Sequence, residues 1–278
     1  MEQPAITPAR IIRISPADIT DENDLLAVEE PLQIQLLFGP GEQRTRQNIS
    51  VTMRTPGHDL ELATGFLFTE GIITGKEDIL RVEQDSFNGS SLLISLHEKV
   101  EPGLGKTERN FLANSSCGVC GKSSIDNIRT ESVYKEVSDS ISLDAAFFYS
   151  MHGKLRQEQA VFDSTGGMHA SALFDEQGNF LLVREDVGRH NALDKVIGAC
   201  LLTDQLPLTN KILLLSGRAS FELIQKANMA GIKVVTAVGA PSSLAVELAA
   251  ESNITLVGFL RNERFNIYSG KQRINFNR

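Results

Sequence analysis

Cys117 and Cys120 are spaced Cys-x-x-Cys and make up two of the chain's three cysteines. A glycine follows each of them, Gly118 and Gly121, inside a polar run from Asn114 to Ser124. Two thiols this close can bind a metal, cycle as a disulfide, or carry sulfur as a persulfide.

The surrounding residues narrow the choice. Structural zinc takes four Cys or His ligands. The pair would need two of His58, His97, His152, His169 and His190, and none of these has a paired spacing. No zinc and no other metal site is therefore expected. Gly121-Lys122-Ser123 looks like the end of a phosphate-binding P-loop, but the glycine needed five residues earlier is Ser116 and no strand precedes it, so that reading is rejected. A zinc nucleobase deaminase needs His-x-Glu or Cys-x-Glu ahead of Pro-Cys-x-x-Cys, and the chain has neither. A thioredoxin-type dithiol follows an early strand and opens a helix; a mid-chain loop suits it less well, and it stays open. A mobile sulfur carrier fits better. Its thiol must be reachable by two partners in turn, and the glycines supply mobility. Arg109 and Lys122 are nearby cations able to lower a thiol pKa and raise the thiolate fraction. Cys120 can release the sulfur by closing a disulfide on Cys117, or tune it. Cys200 sits late in an apolar helical pattern, where a buried structural thiol is the plainer reading.

The loop must be positioned by the elements on either side. Residues 1–30 carry Pro4, Pro8, Pro16 and an acidic cluster, and read as a poorly ordered lead-in. Residues 31–105 read as a small α+β unit: strands at Pro31–Phe38 and Ile49–Arg54, a helix from His58 to about Gly71, and a hairpin around Asn88-Gly89. Residues 106–140 hold the thiol loop and a connector, a length that is usually functional or disordered. Residues 141–278 alternate helices with short apolar strands, which implies a mixed, partly parallel sheet buried on both faces by helices. The fold class expected is α/β.

In such sheets ligands bind beyond the carboxyl ends of the strands. The turns there are small and polar: Thr165–His169, Glu185–His190, Ser216–Ser220 and Gly239–Ser243. Helix capping explains each singly. Together with a basic tail, in which Arg261, Arg264, Lys271, Arg273 and Arg278 face one acid, Glu263, they suit a nucleotide-sized anion. His58 and His97 read as the start of a helix and the end of a strand; His169 and His190, in glycine-rich turns, are better cleft candidates. Asp186, Arg189, Ser216 and Arg218 join them. The overall charge, 27 basic against 35 acidic residues or −8, argues against nucleic acid. No apolar run approaches the ~18 residues of a membrane span and no leader pattern opens the chain. A cytoplasmic protein is expected, in which thiols stay mostly reduced.

Several longer stretches resemble one family. They are Phe66–Ile73 (FLFTEGII), Ser116–Ser124 (SCGVCGKSS), Thr165–Ala170 (TGGMHA), Arg184–Lys195 (REDVGRHNALDK), Ser216–Ser220 (SGRAS), Pro241–Glu247 (PSSLAVE) and Leu256–Arg264 (LVGFLRNER). In this order they resemble the FdhD (FdhD/NarQ) family, sulfur-carrier proteins required for formate dehydrogenase activity. The resemblance implies a sulfurtransferase that takes sulfur from a cysteine desulfurase as a persulfide on Cys117. It passes the sulfur to the molybdenum (or tungsten) bis-guanine-dinucleotide cofactor before that cofactor enters formate dehydrogenase. The role of Cys120 is left open. The resemblance further implies cofactor binding by Phe259, Leu260, Arg261, Asn262, Glu263 and Arg264, a cytidine-deaminase-like C-terminal fold, and a homodimer. Glu263 is out of place beside a phosphate. The competing functions are a non-catalytic molybdenum-cofactor chaperone and a dithiol oxidoreductase.

Overall fold

The computed structural model describes residues 4–84, 89–104, 130–134, 137, 139–261 and 263–276. It opens with an antiparallel hairpin of β1 (Ile6–Ile14) and β2 (Ile19–Ala27). This corrects the expected poorly ordered lead-in. The prolines do not oppose pairing: Pro8 lies in a two-stranded ribbon, where every strand is an edge, and Pro16 sits in the connecting turn closed by the Ser15 N–H on the Asp18 carbonyl at 2.9 Å.

A first sheet follows the sequence pattern closely. It is built from β3 (Glu30–Phe38), β4 (Thr45–Arg54), β5 (Ile79–Gln84) and β6 (Ser91–Leu96), in the order β4-β3-β6-β5. Leu32, Ile34 and Leu36 alternate along β3 and are fully buried. Between β4 and β5 runs α1 (Asp59–Thr69), which stops at Gly71, a residue in the left-handed region at φ 69°.

The second half begins with β7 (Leu143–Asp144), α2 (Ala145–Glu158) and α3 (Ala160–Thr165). Then come β8 (His169–Phe174), β9 (Phe180–Asp186), α4 (Arg189–Leu202), β10 (Ile212–Leu215) and α5 (Phe221–Met229). The chain continues with β11 (Val234–Ala237), α6 (Ser243–Glu251), β12 (Thr255–Arg261), β13 (Arg264–Ser269) and β14 (Ile274–Asn275). β14 pairs with β7, and six strands form one sheet in the order β13-β12-β11-β10-β8-β9. Its centre, β10 to β12, is parallel, and its flanks are antiparallel.

Both faces of this sheet are covered, as the continuous apolar strands require. Ile212, Leu214, Val234 and Val257 pack with Phe148 and Met151 of α2. Leu213, Leu215, Val235 and Leu256 face the other way, into a core shared with α4, α5, α6, α1 and the inner face of the first sheet. The four-stranded sheet is built from residues 30–96 and the six-stranded sheet from residues 169–269, and one core spans the seam between them: Leu32, Leu67, Leu193 and Ile224 belong to one buried cluster. Two buried ion networks cross the same seam. Lys226 Nζ lies 2.9 Å from Asp194 Oδ2 and donates to Thr69 Oγ1 at 2.9 Å, tying α5, α4 and α1 together. Lys195 Nζ lies 2.7 Å from Asp186 Oδ2 and donates to the Thr55 carbonyl at 2.9 Å.

Candidate functional site

The strand order puts one edge of the six-stranded sheet at the centre of interest. β10, β11 and β12 end there; β8, antiparallel to β10, begins there with His169, and His169 pairs with Asp186 at the end of β9. β13 begins there at Arg264, opposite Arg261. The candidate residues separated by almost a hundred positions in sequence therefore share one edge. The helices α4, α5 and α6 each start from it, so three helix N-termini with their partial positive charge face the same side.

The turns along this edge are stitched to one another. Gly239 N–H donates to the Gly217 carbonyl at 2.9 Å, Ser242 N–H to the Ala219 carbonyl at 3.0 Å, and Phe259 N–H to the Gly239 carbonyl at 3.1 Å. Close approach explains Gly258, where a Cβ would fall 2.9 Å from Pro241 Cδ. Phe259 itself is held in the left-handed region at φ 54°, at an irregularity in the β12–β13 pairing, and Glu263 repeats that conformation at φ 53° in the turn. Two non-glycine residues in this region within five positions mark a backbone held by its surroundings.

Individual residues differ in what they can offer. Arg218, Arg261 and Arg264 are exposed, and so is Glu263. Phe259 is partly exposed. Leu260 is only 1 % exposed and packs in the α2 core, so its side chain does not reach a ligand, contrary to expectation. Asp186 is likewise not in the cleft. It is fully buried and accepts from Lys195, Thr55 N–H, Gly188 N–H and Asn191 Nδ2, so it braces the turn that starts α4. Burial pushes its carboxyl above the usual range, with Lys195 opposing. His190, four residues on, is buried and faces α5: its Nε2 is 2.8 Å from Glu222 Oε2 and 3.4 Å from Ser220 Oγ. Arg189 is partly buried at the first position of α4. Ser216 clasps β8, its Oγ accepting from Ala170 N–H at 2.8 Å. Cys117, Cys120 and Asn262 lie outside the described residues.

On the α2 side the edge opens into a cleft of about 510 Å³. Gln159, His169, Ser216, Leu155, Met168 and Val238 line it, with Arg156 over the Phe162 ring at 4.4 Å from its centroid. His169 is half-buried, and burial, with Arg189 and His190 nearby, holds its imidazole below the usual value, so it is neutral at pH 7. Gln159, Arg156 and Glu222 were not legible as site residues. Gln159 joins α2 to α3 without a glycine or proline to mark the break, and Glu222 sits in an ordinary first helical turn.

Fold and edge together define an α/β protein with a candidate site beyond its strand ends. Comparison with known proteins places it further. Residues 27–275 match the model of the FdhD/NarQ family. The chain is 48% identical over 275 residues to the "Sulfur carrier protein FdhD" of Mycolicibacterium paratuberculosis, covering 95% of this chain and 97% of that one. It is 38% identical over 264 residues to the protein of the same name in Saccharolobus solfataricus, covering 95% and 96%. A crystal structure from Desulfotalea psychrophila assigned as a formate dehydrogenase accessory protein superposes with a TM-score of 0.73 at 23% identity, covering 98% of this chain and all 100% of that one, and so shares the fold. The chain belongs to the FdhD/NarQ family. Among the described residues no helix is long and apolar enough to cross a membrane.

Proposed function

We propose that this protein is a sulfur carrier that serves formate dehydrogenase, with Cys117 as the carrying residue. Relatives of nearly equal length that are named sulfur carriers support the reading. The observation that carries the cofactor half of it is the edge itself: exposed Arg218, Arg261 and Arg264 stand where three helices begin, a setting that suits the phosphates of a guanine-dinucleotide substrate. The substrate is the molybdenum or tungsten bis-guanine-dinucleotide cofactor.

The chemistry balances without an added oxidant. The Cys117 thiolate attacks the outer sulfur of a persulfide on a cysteine desulfurase. The donor's S–S bond breaks, its cysteine leaves as thiolate, and Cys117 becomes the persulfide. For delivery the Cys120 thiolate attacks the Cys117 sulfur, the terminal sulfur leaves at the sulfide level toward the metal centre, and the two cysteines end as a disulfide. Formation of that disulfide from the cysteine pair supplies the two electrons that bring the terminal sulfur to the sulfide level, and a thiol reductant must then reset it. His169 and Ser216 orient groups at the edge, and Asp186 with Lys195 fixes the turn beneath them.

Incubation with a cysteine desulfurase and sulfur-labelled cysteine tests the reading. Label should enter the wild-type chain in a form released by thiols and be absent from Cys117→Ala. Labelling of Cys117→Ala would sink the carrier role. Formate dehydrogenase activity retained in cells carrying only Cys117→Ala would point instead to a non-catalytic chaperone of the cofactor. A thiol pair that cycles against thioredoxin but accepts no label would indicate a dithiol oxidoreductase. A cytoplasmic homodimer fits this role, and sedimentation of the intact chain checks the stoichiometry.

A further inference from the structure

Gln159 is 2 % exposed, and its Nε2 is buried with no hydrogen-bond partner. Buried polar side chains are almost always bonded, so such an atom on a cleft wall needs a reason. The backbone of Gln159 is fully spent: its N–H donates to the Arg156 carbonyl at 3.5 Å to close α2, and its carbonyl accepts from Asp163 N–H at 2.9 Å to open α3. Joining two helices would be served by any side chain. The carboxamide is the part left over, and Gln159 is one of the residues that line the cleft.

We propose that the cleft under the α2–α3 junction receives a planar heterocycle with a 2-amino-lactam edge, and that the Gln159 carboxamide reads that edge. The assignment rests on the reading of the substrate as a guanine-dinucleotide cofactor, and it names which residues select the base. Guanine and pterin share this edge, an amino group and ring N–H next to a carbonyl. A carboxamide offers a donor beside an acceptor, which pairs with it in a bidentate way. The terminal torsion of glutamine is broad and nearly two-fold, so a small rotation turns the amide toward a ligand.

The other walls suit the same guest. His169, neutral, has one donor and one acceptor nitrogen. Ser216 Oγ already accepts from Ala170 N–H, which leaves its proton free to donate. The Arg156 guanidinium, planar and stacked on Phe162, can stack on a base as well. The volume, about 510 Å³, lies within the range of pockets that hold ligands of this size.

Calorimetric titration of the full chain with GMP, IMP, AMP and 6-hydroxymethylpterin tests the proposal, with Gln159→Met and Gln159→Glu alongside. Wild type should bind GMP, the pterin, or both. Gln159→Met should weaken that binding by about tenfold or more, with the melting temperature unchanged. Gln159→Glu presents two acceptors, so it should keep GMP and the pterin but lose IMP, which lacks the amino group. Whichever of GMP and the pterin responds identifies the moiety. Affinities within twofold across all three proteins, or no binding of either lactam by wild type, would overturn the assignment. If Arg261→Ala with Arg264→Ala weakens GMP while Gln159→Met does not, the base lies elsewhere and only the cleft assignment fails. The carrier reading is judged separately, by labelled sulfur on Cys117.

Discussion

Gly65 of α1 and Gly198 of α4 meet back to back at the seam between the two halves of the chain. A Cβ on Gly65 would lie 1.9 Å from the Asp194 carbonyl oxygen, and one on Gly198 would lie 1.9 Å from that of Glu61 and 2.9 Å from Gly65 N. The obstacles are backbone atoms, which cannot swing aside as a side chain would. Gly65→Ala should therefore force the helices apart and cost about 2 kcal/mol or more, at the upper end of overpacking effects. The expected result is a lower urea midpoint with an unchanged slope; an unshifted midpoint would show that the seam yields easily.

The same seam holds the Asp194–Lys226 pair. Burial alone would lower the Lys226 ammonium, but the Asp194 and Glu70 carboxylates outweigh it and hold it above the ordinary lysine value. Lys226→Met leaves a carboxylate uncompensated in the core and should cost about 3–5 kcal/mol. Adding Asp194→Leu removes the stranded charge and should recover part of the loss. A double variant no better than the sum of the singles would deny the coupling.

These charges explain where sequence reading stops. Strands β3, β10, β11 and β12 were legible because each is a short apolar or alternating run, and helices α4 to α6 because their apolar residues recur at helical spacing. Asp186 read as a cleft candidate, because nothing in the local pattern announces its pairing with Lys195 nine residues on, or that of Asp194 with Lys226 thirty-two residues on. Leu260 was misjudged for a related reason. It sits among exposed candidates in sequence, yet the irregular pairing at Phe259 leaves it in the core. The hairpin β1–β2 was missed because prolines and acids hide the pairing of two edge strands. The grouping of His169, Ser216 and the arginines on one edge needed strand order, which no single stretch encodes.

Acid should expose one surface interaction. Burial would raise the Glu61 carboxyl, but hydrogen bonds from Arg184 and His58 outweigh it and bring it from 4.5 to about 2. Arg184 makes two of these, Nε at 2.6 Å and Nη2 at 2.8 Å. A depressed carboxyl stabilises the fold in full above its unfolded value and loses that contribution as pH falls toward its folded one. The melting temperature should drop between roughly pH 4.5 and pH 2, and Glu61→Gln should flatten that drop while lowering stability at pH 7. Parallel curves for the two proteins would assign the acid sensitivity to other groups.

Arg261 and Arg264 face each other across the β12–β13 turn, both exposed. If they hold the phosphates of the substrate, replacing both by alanine should weaken GDP binding about tenfold or more and reduce its salt dependence, because charge-assisted contacts to phosphate are lost. Unchanged affinity and an unchanged salt slope would move the phosphates off this turn. Glu263→Gln should act in the opposite direction, tightening GDP modestly by removing a like charge.

Cys200 supplies an internal control for the carrier chemistry. It is 2 % exposed, and burial pushes its thiol up to about 11, so almost none is thiolate at pH 7. Both reach and ionisation therefore bar it from attacking a donor persulfide. A mass-spectrometric map after desulfurase treatment should place the added sulfur on Cys117 and leave Cys200 unmodified until the chain is unfolded. Iodoacetamide should give the same order, with the Cys117–Cys120 stretch alkylated first and Cys200 only in denaturant. Added sulfur on Cys200 in the folded protein would mean that the helix α4 core opens on the time scale of transfer, and the carrier would no longer be fixed by thiol reactivity alone.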